Sequence, residues 1–218
     1  MPQILNAPEV LRWNTDKRYL ATLHLETIPT VYLEPGSPFR APEAAFVVKP
    51  AVGAGSIGAA RYDGGDETAR DHVAELHGQG RTVMIQPYVE AVDSEGEIAL
   101  LYSAGELSHA VRKAPLLAPG SGPGEGLYLE ERIKATEARD SERALAEQAL
   151  DAVPFPRNEL LYARVDLLPG PVVLEVELTE PSLFLGYGEG AVERFAEAVA
   201  AASQRLRISA ENGPTASQ

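Results

Sequence analysis

Acidic residues near the end of the chain are spaced in a way that could bind a cation. Residues 174–185 read LEVELTEPSLFL, so Glu175 and Glu177 alternate with apolar residues and Glu180 follows. Side chains at positions i and i+2 of a strand share a face, which brings the first two carboxylates close together. Like charges at that spacing repel and cost stability. We therefore expect positively charged groups to face them.

The preceding residues extend this pattern into a hairpin. The segment LLYARVDLLPGPVVLEVEL predicts two antiparallel strands that turn at Pro169-Gly170. The apolar face would comprise Ala163, Val165, Leu167, Leu174, Val176 and Leu178. The opposite face would carry Arg164, Asp166, Glu175 and Glu177. Two interpretations stay open: a solvated face that Arg164 partly neutralises, or hard oxygen ligands that hold Mg²⁺ together with substrate phosphates.

Lysine is used sparingly, and one lysine precedes a glycine-rich loop. Of 19 basic residues only Lys17, Lys49, Lys113 and Lys134 are lysines. Lys49 ends the apolar segment AFVVKP and is followed by AVGAGSIG, whose backbone N–H groups can approach an anion closely. No Gly-Lys-Ser/Thr ending or helix follows, which excludes a P-loop and a dinucleotide fingerprint. A plain flexible turn remains the alternative interpretation.

Composition restricts the class of protein. The chain has 218 residues, 44% hydrophobic content, no cysteine and a net charge of -13. Disulfides and thiolate chemistry are therefore excluded, and nucleic acid and anionic membranes are poor default partners. No apolar run approaches the length of a membrane span, and the first residues lack a signal-peptide core. We expect a cytoplasmic location by elimination.

The expected secondary structure is mixed, without a regular βαβ alternation, and this favours the α+β class. Helices are predicted at 14–26 (capped by Asn14 or Thr15), 66–78, 129–136, 141–152 and 189–206. Strands are predicted at 45–50, at 81–90 with a break at Pro87, and in a hairpin at 97–114 that turns at Ala104-Gly105. Proline-rich coil is expected after residue 29, and a mobile loop at 114–126.

Several short motifs occur in an order that resembles the ATP-grasp ligases. These are Lys49-Pro50 before a small-residue loop, Gln86-Pro87-Tyr88-Val89 at a strand end, and Asp166 followed by Glu175 and Glu177. The resemblance is closest to bacterial glutathione synthetases and ribosomal-protein glutamate ligases, and it covers roughly Asn6 to Leu206. It implies two α+β lobes that clamp a nucleotide. The implied divisions are a lead-in at 1–13, lobes at 14–88 and 89–208, and a frayed tail at 209–218.

The resemblance also implies a nucleotide site. Lys17 and Lys49 match the phosphate-binding lysines, and the loop with Gly53, Gly55 and Ser56 matches the one that closes over the phosphates. Main-chain groups of Gln86, Pro87, Tyr88 and Val89 would read the adenine edge. Because Pro87 has no N–H, the donor should be Tyr88 or Val89. Glu97 matches the acid that binds the ribose, although a surface turn or a competing Glu90 is an open alternative.

Metal and catalytic roles follow from the same resemblance. Asp166, Glu175 and Glu177 match the ligands of one or two Mg²⁺ ions, with Mn²⁺ as a second possibility. Arg112 matches the arginine that steadies the transferred phosphoryl group or the acyl phosphate, and Arg164 is the second catalytic candidate. Lys113 points away from Arg112 by strand alternation, so at most one of this pair should enter the site.

The implied activity is a Mg-ATP-dependent ligase that joins a carboxylate to an amine or a thiol through an acyl phosphate. The sequence departs from the family pattern in two ways that bear on this activity. Glu177 stands where the family usually has Asn, and Lys17 lies close to the start of the sequence, without the usual front domain before it. That domain is absent, the chain is shortened, or a partner (a homo-oligomer or another chain) supplies it. The alternatives are an ATP-binding module without ligase activity and a structural acidic domain that binds Ca²⁺ or nothing.

Overall fold

The computed structural model describes residues 5–117 and 132–211 as two antiparallel sheets with helices packed against them. The sheets have four and five strands. This arrangement belongs to the α+β class that the sequence predicts.

The four-stranded sheet has the order β1-β4-β2-β3. Its strands are β1 Val31–Leu33, β2 Phe46–Pro50, β3 Ala60–Tyr62 and β4 Val83–Pro87. Phe46 and Val48 on one face pack against Val73 of helix α2, Ala69–Gly78. Val47 and Lys49 alternate with them and so lie on the other face, where Val47 pairs with Gln86.

The five-stranded sheet has the order β7-β6-β5-β8-β9. Its strands are β5 Glu97–Ser103, β6 Glu106–Lys113, β7 Ile133–Thr136, β8 Tyr162–Leu168 and β9 Val172–Glu177. Helix α4, Asp140–Asp151, packs Ala146 and Leu150 onto one face beside Leu100 and Val165. The short helix α3, Val92–Glu95, precedes β5, and α5, Ala191–Glu211, contacts β5 and β6.

The predicted helix at 14–26 is wrong. Helix α1, Pro8–Asn14, ends where that helix should begin, and a 3₁₀ helix spans Lys17–Thr22. The Asp16 side chain accepts a hydrogen bond from the Arg18 N–H, and the Lys17 N–H donates to Ala51 O, so local and long-range bonds replace the helical ladder. Tyr19, Leu20 and Leu23 are thereby buried in the core of the five-stranded sheet.

Both predicted hairpins are present. β5 and β6 turn at Ala104-Gly105, where φ is positive at both residues, as a tight two-residue turn requires. The β8–β9 turn contains Pro169, Gly170 and Pro171, and the register shifts between Asp166 and Leu167. Because of that bulge, Val173 and not Leu174 packs into the apolar core, so the predicted position of Leu174 is wrong.

Other predicted elements have mixed outcomes. The helices at 66–78, 141–152 and 189–206 are confirmed in type, with shifted ends. The expected helix at 129–136 is wrong over Ile133–Thr136, which pairs with β6 as a strand because that edge of the sheet is open to it. The expected coil after residue 29 contains β1. Residues 118–126 of the predicted loop and the tail beyond 211 lie outside the described residues.

Candidate functional site

A cavity of about 220 Å³ lies between the two sheets. Its lining includes all of the predicted site residues except Arg112, namely Lys17, Lys49, Gly53, Gly55, Ser56, Gln86, Pro87, Tyr88, Val89, Glu97, Arg164, Asp166, Glu175 and Glu177. Apolar side chains cluster at one part of the lining and ionised side chains at another. The fold therefore brings together residues that lie up to 160 positions apart in the chain.

Lys17 links the 3₁₀ helix to both sides of the cavity. Its Nζ lies 3.1 Å from Glu175 Oε1 and donates to Gly53 O at 2.5 Å. Burial alone would lower the pKa of Lys17, but the neighbouring Glu175 outweighs it and raises that pKa. The positive charge expected opposite Glu175 is thus Lys17. Through Gly53 it also holds the start of the glycine loop.

Lys49 has no such counter-ion. It extends from the end of β2 into the cavity, and within residues 5–117 and 132–211 no carboxylate or hydrogen-bond acceptor contacts its ammonium group. Burial lowers the pKa of Lys49, since desolvation penalises the charged form. A cation that is desolvated and unpaired is costly, so this position favours an anionic ligand.

Asp166 is the most deeply buried of the three carboxylates. It stands directly opposite Glu175 in the β8–β9 register. Its Oδ1 accepts from Arg164 Nε at 2.9 Å, and its Oδ2 accepts from Arg164 Nη2 at 3.0 Å and from Lys113 Nζ at 2.8 Å. Burial would raise the pKa of Asp166, but the two cations outweigh it and lower this pKa to about 2.

Glu177 remains undercompensated. It pairs with Arg164, which also serves Asp166, and it lies beside Glu175. Desolvation raises the pKa of Glu177 to about 8; Glu175 and Asp166 add to this, while Arg164 opposes it. One guanidinium shared by two carboxylates does not compensate both, so near pH 7 the Glu177 carboxyl is mostly protonated, and a cation bound beside it would favour the ionised form.

The structure places Lys113, and not Arg112, in the cavity. Lys113 Nζ lies 3.0 Å from Glu97 and 2.8 Å from Asp166. Arg112 lies on the opposite face of the sheet, where its guanidinium contacts Glu142 of α4 and Glu95 O. The two side chains alternate as predicted, and Lys113, not the catalytic candidate Arg112, lines the cavity. The pairing of Glu97 with Lys113 across β5 and β6 is the signal that identifies Lys113.

The residues between β4 and α3 present main-chain groups to the cavity. The Tyr88 N–H already donates to Ala45 O at 2.8 Å, whereas the N–H of Val89 has no acceptor among the described residues. Of the two donors that the sequence leaves open, Val89 is therefore the available one. The Gln86 amide is buried, and its Nε2 donates to Thr30 Oγ1 at 2.8 Å.

Sequence reasoning missed the apolar part of the lining. Ile28, Val92 and Leu168 form a cluster there, with Tyr88 and Leu174 packed against it. The bulge in the β8–β9 pair places Leu174 in this cluster, and a hydrogen bond from the Ile28 N–H to Val173 O holds Ile28 there. Neither contact has a local sequence signal. Together these side chains form an apolar surface on which a planar ring could pack.

A second cavity of about 230 Å³ adjoins the first beside the carboxylates. The two cavities share Lys17, Gly53, Ala54, Glu175, Glu177 and Glu180. Asn14, Thr15 and Thr179 complete a polar lining of the second. A small polar molecule there would lie next to the ionised part of the first cavity.

The carboxylates suit a hard cation only in combination with other ligands. In the part of the chain that the structure describes, no three Asp, Glu or His side chains form a ready metal cluster. Both oxygens of Asp166 are engaged by cations, while Glu175 and Glu177 are more exposed, at 16% and 25% of their side chains. Mg²⁺ bound by one or two carboxylates plus phosphates and water fits this donor set.

Known proteins resemble the chain in sequence and in fold. No protein-family profile matches it. The cycloserine biosynthesis protein DcsG of Streptomyces lavendulae is 40% identical over 91% of this chain and 73% of its own length. A glutathione synthetase of Ralstonia nicotianae is 28% identical over 84% of this chain and 56% of its own length.

Solved structures agree with these relatives. The crystal structure of D-cycloserine synthetase DcsG superposes with a TM-score of 0.77 at 37% identity, over 88% of this chain and 71% of that one. A D-alanine–D-alanine ligase from Bacillus anthracis, complexed with ATP, gives a TM-score of 0.61 at 17% identity, over 89% and 67%. The second likeness concerns the fold alone. In the described residues no helix is both long and apolar enough to cross a bilayer. The chain belongs to the ATP-grasp superfamily of ATP-dependent ligases.

Proposed function

We propose that this ligase binds Mg-ATP in the first cavity, which lies between the two sheets, and joins a small carboxylate to an amine or a thiol through an acyl phosphate. Lys49 and Lys17 would bind the phosphates under the glycine loop. The Val89 N–H and the main-chain carbonyls between β4 and α3 would form hydrogen bonds with the adenine edge, and the adenine ring would pack on the apolar cluster. Glu97 would meet the ribose, although its pairing with Lys113 means that one oxygen is already engaged.

Glu175 and Glu177 would hold Mg²⁺, with Asp166 nearby and its oxygens bound to Arg164 and Lys113. The metal would supply charge neutralisation to the phosphates.

In the proposed reaction a substrate carboxylate oxygen attacks the terminal phosphorus, and ADP leaves. The amine then attacks the acyl carbon, phosphate leaves, and a proton is released. The protein contributes position and positive charge, through Lys49, Lys113 and Arg164, rather than a covalent intermediate.

The observation that carries this proposal is the uncompensated Lys49. Lys17, Lys113 and Arg164 in the same cavity are all paired with its carboxylates, whereas Lys49 has none among the described residues. A polyphosphate would supply the missing counter-charge. Glu177, whose pKa is raised to about 8, would ionise when a cation binds beside it, so one Mg-nucleotide would satisfy both groups.

Calorimetric titration of ATP, with and without Mg²⁺, tests the proposal on the wild-type chain and on Lys49→Ala. Loss of a charge-assisted phosphate contact should cost about 1.5–3 kcal/mol, roughly tenfold or more in Kd. Lys134→Ala is the matched control, because Lys134 is an exposed lysine on β7. Absence of ATP binding by the wild-type chain, or equal weakening in both variants, would refute the site.

Substrates should be screened by ADP release. The likeness to a D-cycloserine synthetase puts small amino-acid-like carboxylates first, and the second cavity is where we expect them to bind. An ATP-binding module without ligase activity is the second candidate, favoured by the ion pairs that engage all three carboxylates. It predicts tight ATP binding and no substrate-dependent ADP release.

A further inference from the structure

Arg61 is a buried charge that the proposed chemistry does not use. It lies on β3, the strand that follows the glycine loop, and only 10% of its side chain is exposed. In the sheet register Arg61 pairs with Val47, and Val47 pairs with Gln86. Residues in one such row share a face. Arg61 therefore lies on the cavity side of the sheet, at its outer edge.

The Arg61 side chain contacts Tyr88, the first residue after β4, and Asp93 of α3. Its guanidinium carbon lies 3.6 Å from the centroid of the Tyr88 ring. Its Nη1 donates to both carboxylate oxygens of Asp93, at 3.2 and 3.0 Å. The Tyr88 hydroxyl donates to Asp93 Oδ1 at 2.5 Å. Each of the three side chains thus contacts the other two.

The contact with Tyr88 reaches the nucleotide cavity. The guanidinium covers one face of the ring, and the ring packs against Ile28, Val92 and Leu168, which line the apolar part of the cavity. Rotation of Tyr88 would remove one wall from that cluster. A stacked arginine and a hydrogen-bonded hydroxyl fix the ring at two points.

Stability alone does not account for this arrangement. Arg61 Nε is buried and has no acceptor among the described residues. An unsatisfied buried N–H is costly, so a smaller apolar side chain at the sheet edge would avoid that cost. Asp93 is 48% exposed and stays hydrated without its partner, so the fold should tolerate loss of Arg61.

We propose that Arg61 is a positioning residue for the nucleotide base: it holds the Tyr88 ring in place as a wall of the adenine pocket. Asp93 orients both partners. The inference rests on the ATP site proposed above and adds a residue from β3 to it. Arg61 acts on the base through Tyr88 and has no contact with the phosphates.

The test compares ligands with and without a base. Arg61→Ala should weaken ATP and ADP binding by roughly fivefold to tenfold, a loss between those of an exposed and a fully desolvated cation–π contact. Binding of inorganic tripolyphosphate should stay within about twofold of wild type. Arg61→Lys, which keeps the cation over the ring, should recover part of the loss, and Arg61→Ala in a Tyr88→Ala background should add little. Arg143→Ala, which removes an exposed ion pair on α4, is the matched control.

The outcomes are distinguishable. Unchanged ATP affinity in Arg61→Ala overturns the inference and leaves the proposed function intact. Equal weakening of ATP and tripolyphosphate also overturns it, because Arg61 would then act on the glycine loop or on the whole fold. Failure of the wild-type chain to bind ATP refutes the proposed function, and this inference with it.

Discussion

The amide of Gln86 has an orientation that its neighbours determine. The Thr30 hydroxyl donates to Ile28 O at 2.9 Å, so its oxygen must accept from the Gln86 Nε2 at 2.8 Å. The Gln86 oxygen is then the atom left without a donor among the described residues, on a side chain that is 3% exposed and lines the cavity. An acceptor that faces the cavity matches an exocyclic amino group and disfavours a carbonyl.

We expect this acceptor to select adenine over guanine. Gln86→Leu should raise the KM for ATP by roughly tenfold, because about 1–2 kcal/mol of hydrogen bonding is lost for ATP alone. The KM for GTP, the poorer substrate, should stay nearly unchanged. Thr30→Val should also lower the ratio of kcat/KM for ATP to kcat/KM for GTP, because the Gln86 amide could rotate once the hydroxyl is gone. The measurement is kcat/KM for both nucleotides.

Thr30→Ser is the control for this selectivity, because it keeps the hydroxyl. If Thr30→Ser and Thr30→Val change the ATP:GTP ratio equally, the hydroxyl does not orient the amide. If Gln86→Leu weakens both nucleotides alike, the amide has no role in base selection.

At the scale of elements, the segment before the four-stranded sheet completes the edge of β9. Asn14 Nδ2 donates to Val176 O at 2.7 Å, and its Oδ1 accepts from the Leu178 N–H at 2.7 Å. The Tyr19 hydroxyl accepts from the Val176 N–H at 2.8 Å. β9 is the last strand of its sheet, so these side chains occupy backbone groups that would otherwise be unpaired. They also fix the strand that carries Glu175 and Glu177.

Asn14→Ala should lower the free energy of unfolding by about 1–3 kcal/mol, because it leaves the buried Leu178 N–H without its acceptor. It should also weaken Mg-ATP binding more than a distant substitution of equal cost, since β9 would be less well fixed. Denaturant unfolding and calorimetry measure the two effects. Thr15→Ala, at an exposed neighbouring position, should change neither. An unchanged unfolding midpoint in Asn14→Ala would contradict this account.

The elements differ in how far the sequence predicts them. The two hairpins follow from alternation and from turns such as Ala104-Gly105, which are local signals. The helix expected at 14–26 fails because Asn14 and Lys17 make their bonds to β9 and to Ala51, far away in sequence. Ile133–Thr136 becomes a strand because β6 offers a partner. In both cases the structure depends on contacts between residues that are far apart in the sequence, and hydrophobic periodicity does not indicate such contacts.

The site shows the same division. Apart from Arg112, the site residues that the motif order implies line the cavity, whereas Lys113, which also lines it, was not among them. Which of Arg112 and Lys113 faces the cavity depends on the strand register, in which Lys113 pairs with Glu97. Leu174 and Ile28 depend on a bulge and on an inter-segment bond. The motif order thus predicted most of the ionised residues that line the cavity, but neither Lys113 nor the apolar surface.

At the scale of the whole molecule, acidification has two opposing effects on stability. The net charge of -13 and a pI near 4.8 mean that self-repulsion falls as the pH decreases toward 5. Two half-buried or buried histidines oppose this. Burial lowers the pKa of His72, whose Nδ1 lies 3.0 Å from the Tyr62 hydroxyl, and burial likewise lowers the pKa of His109. With a pKa of about 2, Asp166 stays ionised throughout.

The sign of the histidine effect follows from proton linkage. A histidine whose folded pKa is below 6.5 binds more protons in the unfolded state between those two values, so stability is complete above pH 6.5 and is lost as the pH falls below it. Each histidine contributes a slope of at most about 1.4 kcal/mol per pH unit. Screening by salt reduces the self-repulsion but leaves this buried contribution.

We therefore expect the difference in unfolding free energy between wild type and His72→Asn to shrink as the pH falls from 7 to 5 in high salt. Below pH 6.5 the unfolded wild type binds a proton on His72 that the folded state does not, so unfolding becomes more favourable, and the variant lacks this effect. Denaturant titrations at several pH values measure this difference. His24→Asn, at an exposed position, should leave the wild-type pH profile unchanged. A wild-type profile parallel to that of His72→Asn would show that burial of His72 does not couple protonation to the fold.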